Sequence, residues 1–448
     1  MKQFKQTFLL AIIFCVVGAK ALAHDIEVAN SDGVTIYYVW TNDNTELAVS
    51  NKSNSPGIYR DRYTDKIVIP ESVVYNGKTF PVTSIGSDAF KYCSRLASVT
   101  IPNSVTSLGK ELFNGCPNLA SIVVEEGNPV YDSRENCNTL IETASNKVIY
   151  GCSASTIPDG ITTIGNSAFL NCIGLTSIVI PSSVTTIEKS AFEGCTGLTS
   201  FVIPDAVTTI ERGIISSCTG LTYLYIGKGI TNLEEWMFNS CTNLKKVEIN
   251  SNAIASNNNY NSQNGFSIGS FFNSSVEEYI LGEDVTRISD YAFYRCGMTS
   301  IKMSNNVTTI GNLAFSGCRY LASVTLSGNL TSIGDWAFTF CEKLTDMYCY
   351  AEQVPKLADA VFMSSNFRNA TLHVPAVSVD AYSNADVWKG FGNIVALTDP
   401  SGIESTTATQ QPTIIECYTI DGKCINQPQR GFNIIKMSDG TTKKIVVK

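Results

Sequence analysis

Histidine and charge are both scarce in this chain. Of its 448 residues, two are histidines, His24 and His373, and 16% are charged, well below the roughly 25% of ordinary globular proteins. The formal net charge is −8, and Lys and Arg do not cluster as phosphate binding requires, so no nucleic-acid partner is expected. The chain also lacks G-x-S-x-G, H-E-x-x-H and any phosphate-binding glycine loop. We therefore expect neither an enzyme nor a bound cofactor or metal.

Long apolar runs are absent beyond the first 17 residues. Lys2 and Lys5 precede a ten-residue apolar stretch, Phe8 to Val17, which is too short to span a bilayer. An Ala-x-Ala cleavage site follows at residues 21–23. We expect residues 1–23 to be a signal peptide, the protein to be exported, and no transmembrane segment to remain after cleavage.

A 23-residue repeat occupies most of the sequence. Each copy carries an Ile or Leu, an aromatic or apolar residue five positions later, a cysteine, a leucine, and two apolar residues that alternate with polar ones. Nine copies are clear, and their cysteines are Cys93, Cys116, Cys172, Cys195, Cys218, Cys241, Cys296, Cys318 and Cys341. Insertions interrupt the series near residues 125–163 and 250–287. The spacing predicts about eleven coils.

The repeat pattern has a direct physical interpretation. Leu-x-x-Ile-x-Ile alternates with period two, which predicts a short strand with one buried face, and the following Pro stops the strand. The segment Ile-Gly-x-x-Ala-Phe makes the return path. One copy cannot bury its own Ile, Phe and Leu, so the copies must stack. The sequence therefore predicts a repeat solenoid with a parallel β-sheet face.

The motif Ile-Gly-x-x-Ala-Phe-x-x-Cys-x-x-Leu-x-x-Ile-x-Ile-Pro resembles the BspA-like family of leucine-rich repeat proteins over roughly residues 60–350. Gly127-Asn-Pro-Val-Tyr131 resembles an insertion common in that family. The resemblance implies a right-handed leucine-rich repeat on a bacterial surface protein, with a role in adhesion or protein binding. No catalytic or binding residue carries over, because the family has no fixed motif for either.

The ends of the chain depart from the repeat. We expect an N-terminal β cap at 24–84, the solenoid at 85–349, a C-terminal cap at 350–397, a polar linker at 398–412, and a small all-β tail at 413–448. Within the tail, Tyr418-x-x-Asp421-Gly422-Lys423 and the strand Gly431-Phe-Asn-Ile-Ile435 resemble the C-terminal sorting domain of type IX secreted proteins. Lys423 stands where that family more usually has Arg. The resemblance implies delivery to the cell surface.

The recurring cysteines permit three interpretations. Zinc sites need pairs at C-x₂₋₄-C spacing, and the repeats provide one cysteine each. Stacked neighbours lie close enough for a disulfide, but all point the same way along the stack. Buried free thiols are the favoured interpretation. The disulfide status of Cys137 with Cys152, and of Cys417 with Cys424, stays open; a two-residue turn would place Cys424 opposite Thr419.

The outward side chains of the strands form the predicted binding surface. The candidate partner-binding residues are Val179, Val202, Tyr223 and Tyr225, bordered by Lys246 and Glu248. Aromatic anchors with a charged rim are typical of protein interfaces, although exposed valines also fit plain β-propensity.

A second stripe of large side chains precedes the Ala-Phe step at Trp236, Tyr291, Leu313 and Trp336. We expect these side chains to lie over the turn, partly buried, or to form a second contact face. The expected function is non-enzymatic binding of an extracellular host or bacterial protein. The alternatives are a carbohydrate-binding accessory protein and a structural surface-layer spacer.

Overall fold

The computed structural model describes residues 24–51, 63–231, 237–252 and 275–397, together with four strands of the tail. The predicted signal peptide, the linker and the polar loop at 257–265 lie outside the described residues, as does Trp236.

Antiparallel strands open the described chain and pass directly into parallel ones. The first nine strands are β1 (Ile26–Ala29), β2 (Thr35–Thr41), β3 (Glu46–Ser50), β4 (Asp65–Val68), β5 (Ser72–Tyr75), β6 (Lys78–Ile85), β7 (Leu96–Ile101), β8 (Ser107–Leu108) and β9 (Ser121–Val124). Strands β1, β2 and β3 pair antiparallel, whereas β3 pairs in parallel with β6, and β6 with β8. Strand β4 pairs in parallel with β7, and β7 with β9. Parallel pairing therefore already begins at β3, with Leu47 opposite Val82, upstream of the first complete repeat.

The first insertion forms a hairpin. Strands β10 (Tyr131–Asp132), β11 (Leu140–Glu142) and β12 (Lys147–Tyr150) pair antiparallel in that order. Strand β12 then pairs in parallel with β13 (Thr163–Ile164), so the insertion joins the stack instead of projecting from it.

Asn128 ties this insertion to the coil before it. Its Nδ2 donates to the carbonyls of Pro102 and Val105, both at 2.9 Å. Its Oδ1 accepts from the backbone N–H groups of Val130 and Tyr131, at 3.0 and 2.9 Å. One amide side chain thus satisfies four backbone groups and joins the Gly-Asn-Pro-Val-Tyr segment to the preceding coil.

Two ladders of parallel strands run along the rest of the chain, and most of the described coils contribute a strand to each. The main sheet has nine strands: β15 (Ser200–Ile203), β17 (Tyr223–Ile226), β18 (Lys246–Ile249), β19 (Glu278–Leu281), β21 (Ser300–Met303), β23 (Ser323–Leu326), β25 (Asp346–Cys349), β27 (Thr371–Val374) and β28 (Asn393–Ala396). The second ladder has two-residue strands in two separate sheets: β13, β14 (Thr186–Ile187) and β16 (Thr209–Ile210) continue from β12, while β20 (Arg287–Ile288), β22 (Thr309–Ile310), β24 (Ser332–Ile333) and β26 (Lys356–Leu357) form the other sheet. The predicted solenoid is confirmed as a parallel β-solenoid of about 12 turns.

A third set of hydrogen bonds, the turn ladder, joins the return segments of neighbouring coils. The N–H of Phe293 donates to the carbonyl of Ala314 at 2.7 Å, and Phe315 N–H donates to Ala337 at 2.8 Å. Each return segment contains two left-handed residues. The first position is held by Ser167, Ser190, Gly213, Tyr291, Leu313, Trp336 and Ala360, and the second by Asn171, Gly194, Ser217, Ser240, Arg295, Gly317, Phe340 and Ser364. The hydrogen bonds to adjacent coils hold non-glycine residues in this disfavoured region.

The repeating apolar positions form the interior, as predicted. Phenylalanine rings stack coil upon coil: the centroids of Phe293, Phe315, Phe338 and Phe362 are 5.2, 4.9 and 5.6 Å apart in turn, with nearly parallel planes. The buried side chains fall into two clusters that meet at the first insertion, where Cys137 and Ile141 belong to one cluster and Leu140 and Cys152 to the other.

The repeat cysteines are free thiols, and all but Cys172 are fully buried, which confirms the favoured interpretation. Each of several thiols donates a hydrogen bond to the carbonyl of the phenylalanine position one coil upstream; Cys195 Sγ lies 3.1 Å from Phe169 O, and Cys218 Sγ lies 3.2 Å from Phe192 O. A thiol fills the space of a small apolar side chain and also donates, which explains its recurrence at this position. Cys137 and Cys152 are likewise free and buried.

One strand predicted by the repeat does not form. Residues 177–180, which include Val179, are not in a strand, so the main sheet starts at β15, and β9 closes the sheet before it. The first insertion explains the gap, because the chain leading into this coil bonds to the insertion: Thr156 N–H donates to Cys137 O at 2.9 Å. The segment at 177–180 therefore has no strand on its upstream side to extend.

The main sheet continues past residue 349 through β27 and β28, and the α-helix α1 (Val379–Asn384) replaces a return segment there. Aromatic side chains close the interior: the Tyr382 hydroxyl donates to Ala351 O at 2.8 Å, and Trp388 Nε1 donates to Pro355 O at 3.1 Å.

The tail forms a separate four-stranded antiparallel sheet, which confirms an all-β unit. Its strands are β29 (Ile414–Thr419), β30 (Cys424–Ile425), β31 (Gly431–Met437) and β32 (Thr442–Val447), in the order β30-β29-β31-β32. Cys424 pairs with Tyr418, so the expected pairing with Thr419 is wrong by one residue; five residues lie between the paired positions, where a two-residue hairpin would leave four between Thr419 and Cys424.

Candidate functional site

The main sheet arranges the candidate residues in two outward columns. Strand pairing places Ser200, Tyr223 and Lys246 side by side in one column, and Val202, Tyr225 and Glu248 side by side in the other. Because the register is unbroken, side chains of neighbouring coils are one strand spacing apart, about 4.8 Å. Five of the six candidates therefore form one contiguous area, the sheet-face patch. Val179 lies upstream of it, outside any strand.

Both tyrosines of the sheet-face patch are half-buried and hydrogen-bonded to carboxylates. The Tyr223 hydroxyl donates to Glu248 Oε2 at 3.0 Å, and the Tyr225 hydroxyl donates to Asp205 Oδ1 at 3.3 Å. Burial, reinforced by the neighbouring carboxylate, raises the pKa of Tyr223 and raises the pKa of Tyr225 to about 12. The rings are therefore fixed, neutral and apolar on one side.

The apolar and charged parts of the patch are separate. Val179 and Val202 are 55% and 47% exposed, unusually open for valines. On the other side, Lys246 Nζ lies 3.1 Å from Glu278 Oε2, and this pair is exposed. The arrangement offers a hydrophobic contact with a charged border.

Sequence analysis overlooked a cluster at the far end of the same face. The ring of His373 stacks on Tyr348 with centroids 4.3 Å apart, and His373 Nε2 lies 3.0 Å from Asp346 Oδ1. Strand pairing brings Tyr348 and His373 together on neighbouring coils. The strand-like sequence around His373 was the one indication of this cluster. The register of that strand against β25 could not be predicted, because the coil between the two strands departs from the 23-residue repeat.

The stripe that precedes the Ala-Phe step occupies the first left-handed position of the turn ladder. Tyr291 and Leu313 are half-buried, in line with the expectation, whereas Trp336 is 43% exposed. Together with neighbouring side chains, Leu313 and Trp336 line a groove of about 770 Å³, the turn-face groove. Its lining includes Tyr294, Arg295, Arg319, Tyr320, Phe340 and Met363.

Neither a membrane-spanning helix nor a metal-binding cluster occurs within the described ranges. In that part of the chain, no helix has the length and apolar character to cross a bilayer. Nor do three or more His, Cys, Asp or Glu side chains there come together in a way that could hold a metal ion.

The stacked 23-residue coils, the parallel sheet face and the buried Ile, Phe, Cys and Leu positions define a leucine-rich repeat solenoid. The chain belongs to the BspA type leucine-rich repeat family, whose model matches in six copies over residues 69–145, 142–267 and 264–387. This family is one of repeat proteins and is not known for enzymes.

Several solved structures are similar to this chain. A leucine-rich repeat protein from Bacteroides ovatus is 21% identical, covering 81% of this chain and 98% of its own, with a TM-score of 0.42. A leucine rich cell surface protein from Faecalibacterium prausnitzii is 21% identical, covering 84% and 96%, with a TM-score of 0.34. The pneumococcal vaccine antigen PcpA is 16% identical, covering 84% and 99%, with a TM-score of 0.32. No curated protein matches the chain in sequence.

Proposed function

We propose that this protein is exported to the bacterial cell surface or the extracellular space and binds another extracellular protein there, without catalysis, through its solenoid. The proposal combines the family with the predicted signal peptide and the sorting-type tail. The observation that carries it is the sheet-face patch, where fixed tyrosines adjoin exposed valine and a charged border.

Rigid aromatic side chains suit a protein interface for a physical reason. A side chain that is already ordered loses little conformational entropy on binding, so more of its contact energy appears as affinity. Carboxylates order both Tyr223 and Tyr225 before any partner arrives. Tyrosine is also enriched among the residues that dominate protein interfaces.

The carbohydrate alternative has one observation in its favour, the half-buried ring stack of Tyr348 and His373 on the main sheet. The spacer alternative requires that no face bind anything. Three assays on the full chain separate the three functions. Surface proteins that cross-link to the chain are recovered first, and each purified candidate partner is then titrated against it. A glycan array tests carbohydrate binding in parallel. Saturable binding of a purified protein supports the proposal, glycan signal alone favours the carbohydrate function, and neither favours the spacer.

A double substitution, Tyr223→Ala with Tyr225→Ala, tests the sheet-face patch. We expect partner affinity to fall about tenfold or more, as for buried interface tyrosines, with an unchanged melting temperature. The control is Tyr348→Ala with Tyr350→Ala, two tyrosines with the same sequence spacing in β25 and directly after it, five strands away; a protein held by the sheet-face patch should bind this variant as it binds wild type. Equal binding by wild type and the Tyr223/Tyr225 variant would remove this patch from the interface.

A further inference from the structure

We propose that the turn-face groove is a second docking site, which takes a partner protein segment carrying an apolar anchor flanked by acidic side chains. The site lies on the return segments, away from the sheet-face patch, and does not depend on it. Both sites serve protein binding, but they can be present or absent independently.

The groove exists because small and large residues alternate down the turn ladder. At the second left-handed position, successive coils carry Arg295, Gly317 and Phe340. Backbone hydrogen bonds confirm this stacking, since Arg295 N–H donates to Ser316 O and Gly317 N–H donates to Thr339 O. Gly317, Ser316 and Thr339 thus make a low floor between larger side chains. In the described coils of the first half, Tyr92 beside Gly115 is the one large side chain at this position, whereas Asn171, Gly194 and Ser217 are small or polar.

The walls of the groove are aromatic and open to solvent. Tyr320 is 64% exposed, Phe340 46% and Met363 50%. Leaving such side chains in water is unfavourable, by about 25 cal/mol for each Å² of apolar surface. Contiguous exposed apolar surface of this kind marks an interaction site.

The occupant is argued from charge. Two arginines line the groove, and none of its lining residues is acidic, although the whole chain carries a formal charge of −8. Arg319 is 70% exposed and lies 3.6 Å from the exposed Glu342, a surface pair too weak to neutralise it. A local positive site on an acidic protein selects an acidic ligand.

Arg295 is positioned before binding. Its Cγ lies 2.9 Å from where a Cβ on residue 317 would be, so the stem rests over Gly317. Its guanidinium lies 5.1 Å from the centroid of the Tyr294 ring. These contacts hold the cation at one end of the groove, where it can receive a carboxylate in bidentate fashion.

The lining also separates a protein ligand from a glycan. Tyr, Trp, Phe, Met and Arg are the residues enriched at the cores of protein interfaces, and this groove contains all five types. Sugar hydroxyls need carboxylate and amide partners, and the lining has no Asp, Glu, Asn or Gln. The chemistry therefore favours an apolar side chain of a protein segment.

The test pans a random library of displayed 12-residue peptides against the full chain. We expect enrichment of sequences with an aromatic residue or leucine beside Asp or Glu. Synthetic fluorescein-labelled copies of them should lose about tenfold or more in affinity on Trp336→Ser with Phe340→Ser, by fluorescence polarisation. Serine already occupies these two positions in other coils, as at Ser190 and Ser217 with the same left-handed backbone, so the variant should fold.

Two further variants complete the design. Arg295→Gln with Arg319→Gln should weaken the same peptides and reduce the dependence of their affinity on salt. The Tyr223→Ala/Tyr225→Ala variant should bind them as wild type does, which separates this site from the sheet-face patch.

The proposal is overturned if no sequence is enriched, if the enriched sequences are basic, or if the groove variants bind them unchanged. A glycan array signal that depends on Trp336 and Phe340, without peptide enrichment, would also overturn it. Failure here leaves the Tyr223/Tyr225 result intact, and the reverse holds equally.

Discussion

The stacked phenylalanines allow a sharp test of how the solenoid is stabilised. Phe315 is fully buried and lies between Phe293 and Phe338, with centroid distances of 5.2 and 4.9 Å. Phe315→Ala removes a ring from the centre of this stack. We expect a large and local loss of stability.

The size of the loss follows from the contacts. Burial and cavity terms for Phe→Ala amount to about 3–5 kcal/mol. Stacking on each of two neighbours is worth about 0.5–1.5 kcal/mol beyond burial. The Phe→Ala range is a total loss that already contains these ring contacts, so the two terms do not add, and about 4 kcal/mol, the middle of that range, is expected. A loss of about 4 kcal/mol corresponds to roughly a thousandfold change in an opening equilibrium.

Hydrogen–deuterium exchange, read peptide by peptide, is the suitable assay, because solenoids need not unfold in one step. Amides of the coils around β20, β22 and β24 should exchange roughly a thousandfold faster, whereas those around β13 should change little. Phe340→Ala is the control, because this ring lies in the adjacent coil and is 46% exposed. Its loss should lower the free energy of unfolding by less than about 1 kcal/mol. Similar exchange in the two variants, or a loss spread evenly along the chain, would refute the reasoning.

Two other predictions follow from buried polar groups. Asn128→Ala removes four hydrogen bonds to backbone groups and should lower the stability measured in a thermal melt by about 1–3 kcal/mol. The control, Asn118→Ala, removes one exposed hydrogen bond and should lower stability by less than about 1 kcal/mol. Equal losses in the two variants would contradict the role of Asn128. Burial raises the pKa of Cys218, Cys241 and Cys318 from 9.0 to about 12, so the unfolded chain ionises these thiols first as the pH rises. Their contribution to stability is therefore complete below pH 9.0 and is lost between pH 9.0 and about 12, by at most about 1.4 kcal/mol per pH unit for each thiol. The urea concentration at the unfolding midpoint should fall steeply across that window. A flat profile would show that the thiols are accessible to solvent in the folded protein.

Sequence patterning predicted the interior better than the surface. The recurring Ile, Phe, Cys and Leu positions are buried. The prediction failed at residues 177–180, where the local pattern is intact but the strand needs a neighbour that the insertion takes away. A local pattern specifies which side chains are apolar, while pairing depends on the adjacent coil.

The candidate surface shows the same division. Alternation along each strand identified the outward positions of Val202, Tyr223 and Tyr225, and their placement on one face follows from the constant repeat length. The bonds of Tyr223 to Glu248 and Tyr225 to Asp205 were not predictable, since they join residues 25 and 20 positions apart through side-chain geometry. The turn-face groove was also invisible, although Trp336 had been noted.

The amino-acid sequence alone determined the repeat, its strand face and its apolar interior, because each is encoded by residue type at a fixed spacing. The tertiary structure decided where the ladder breaks, which tyrosines are fixed by carboxylates, and where small residues open a groove between aromatic walls. These features arise between coils, from the sizes and hydrogen bonds of side chains that meet only when one coil stacks on the next.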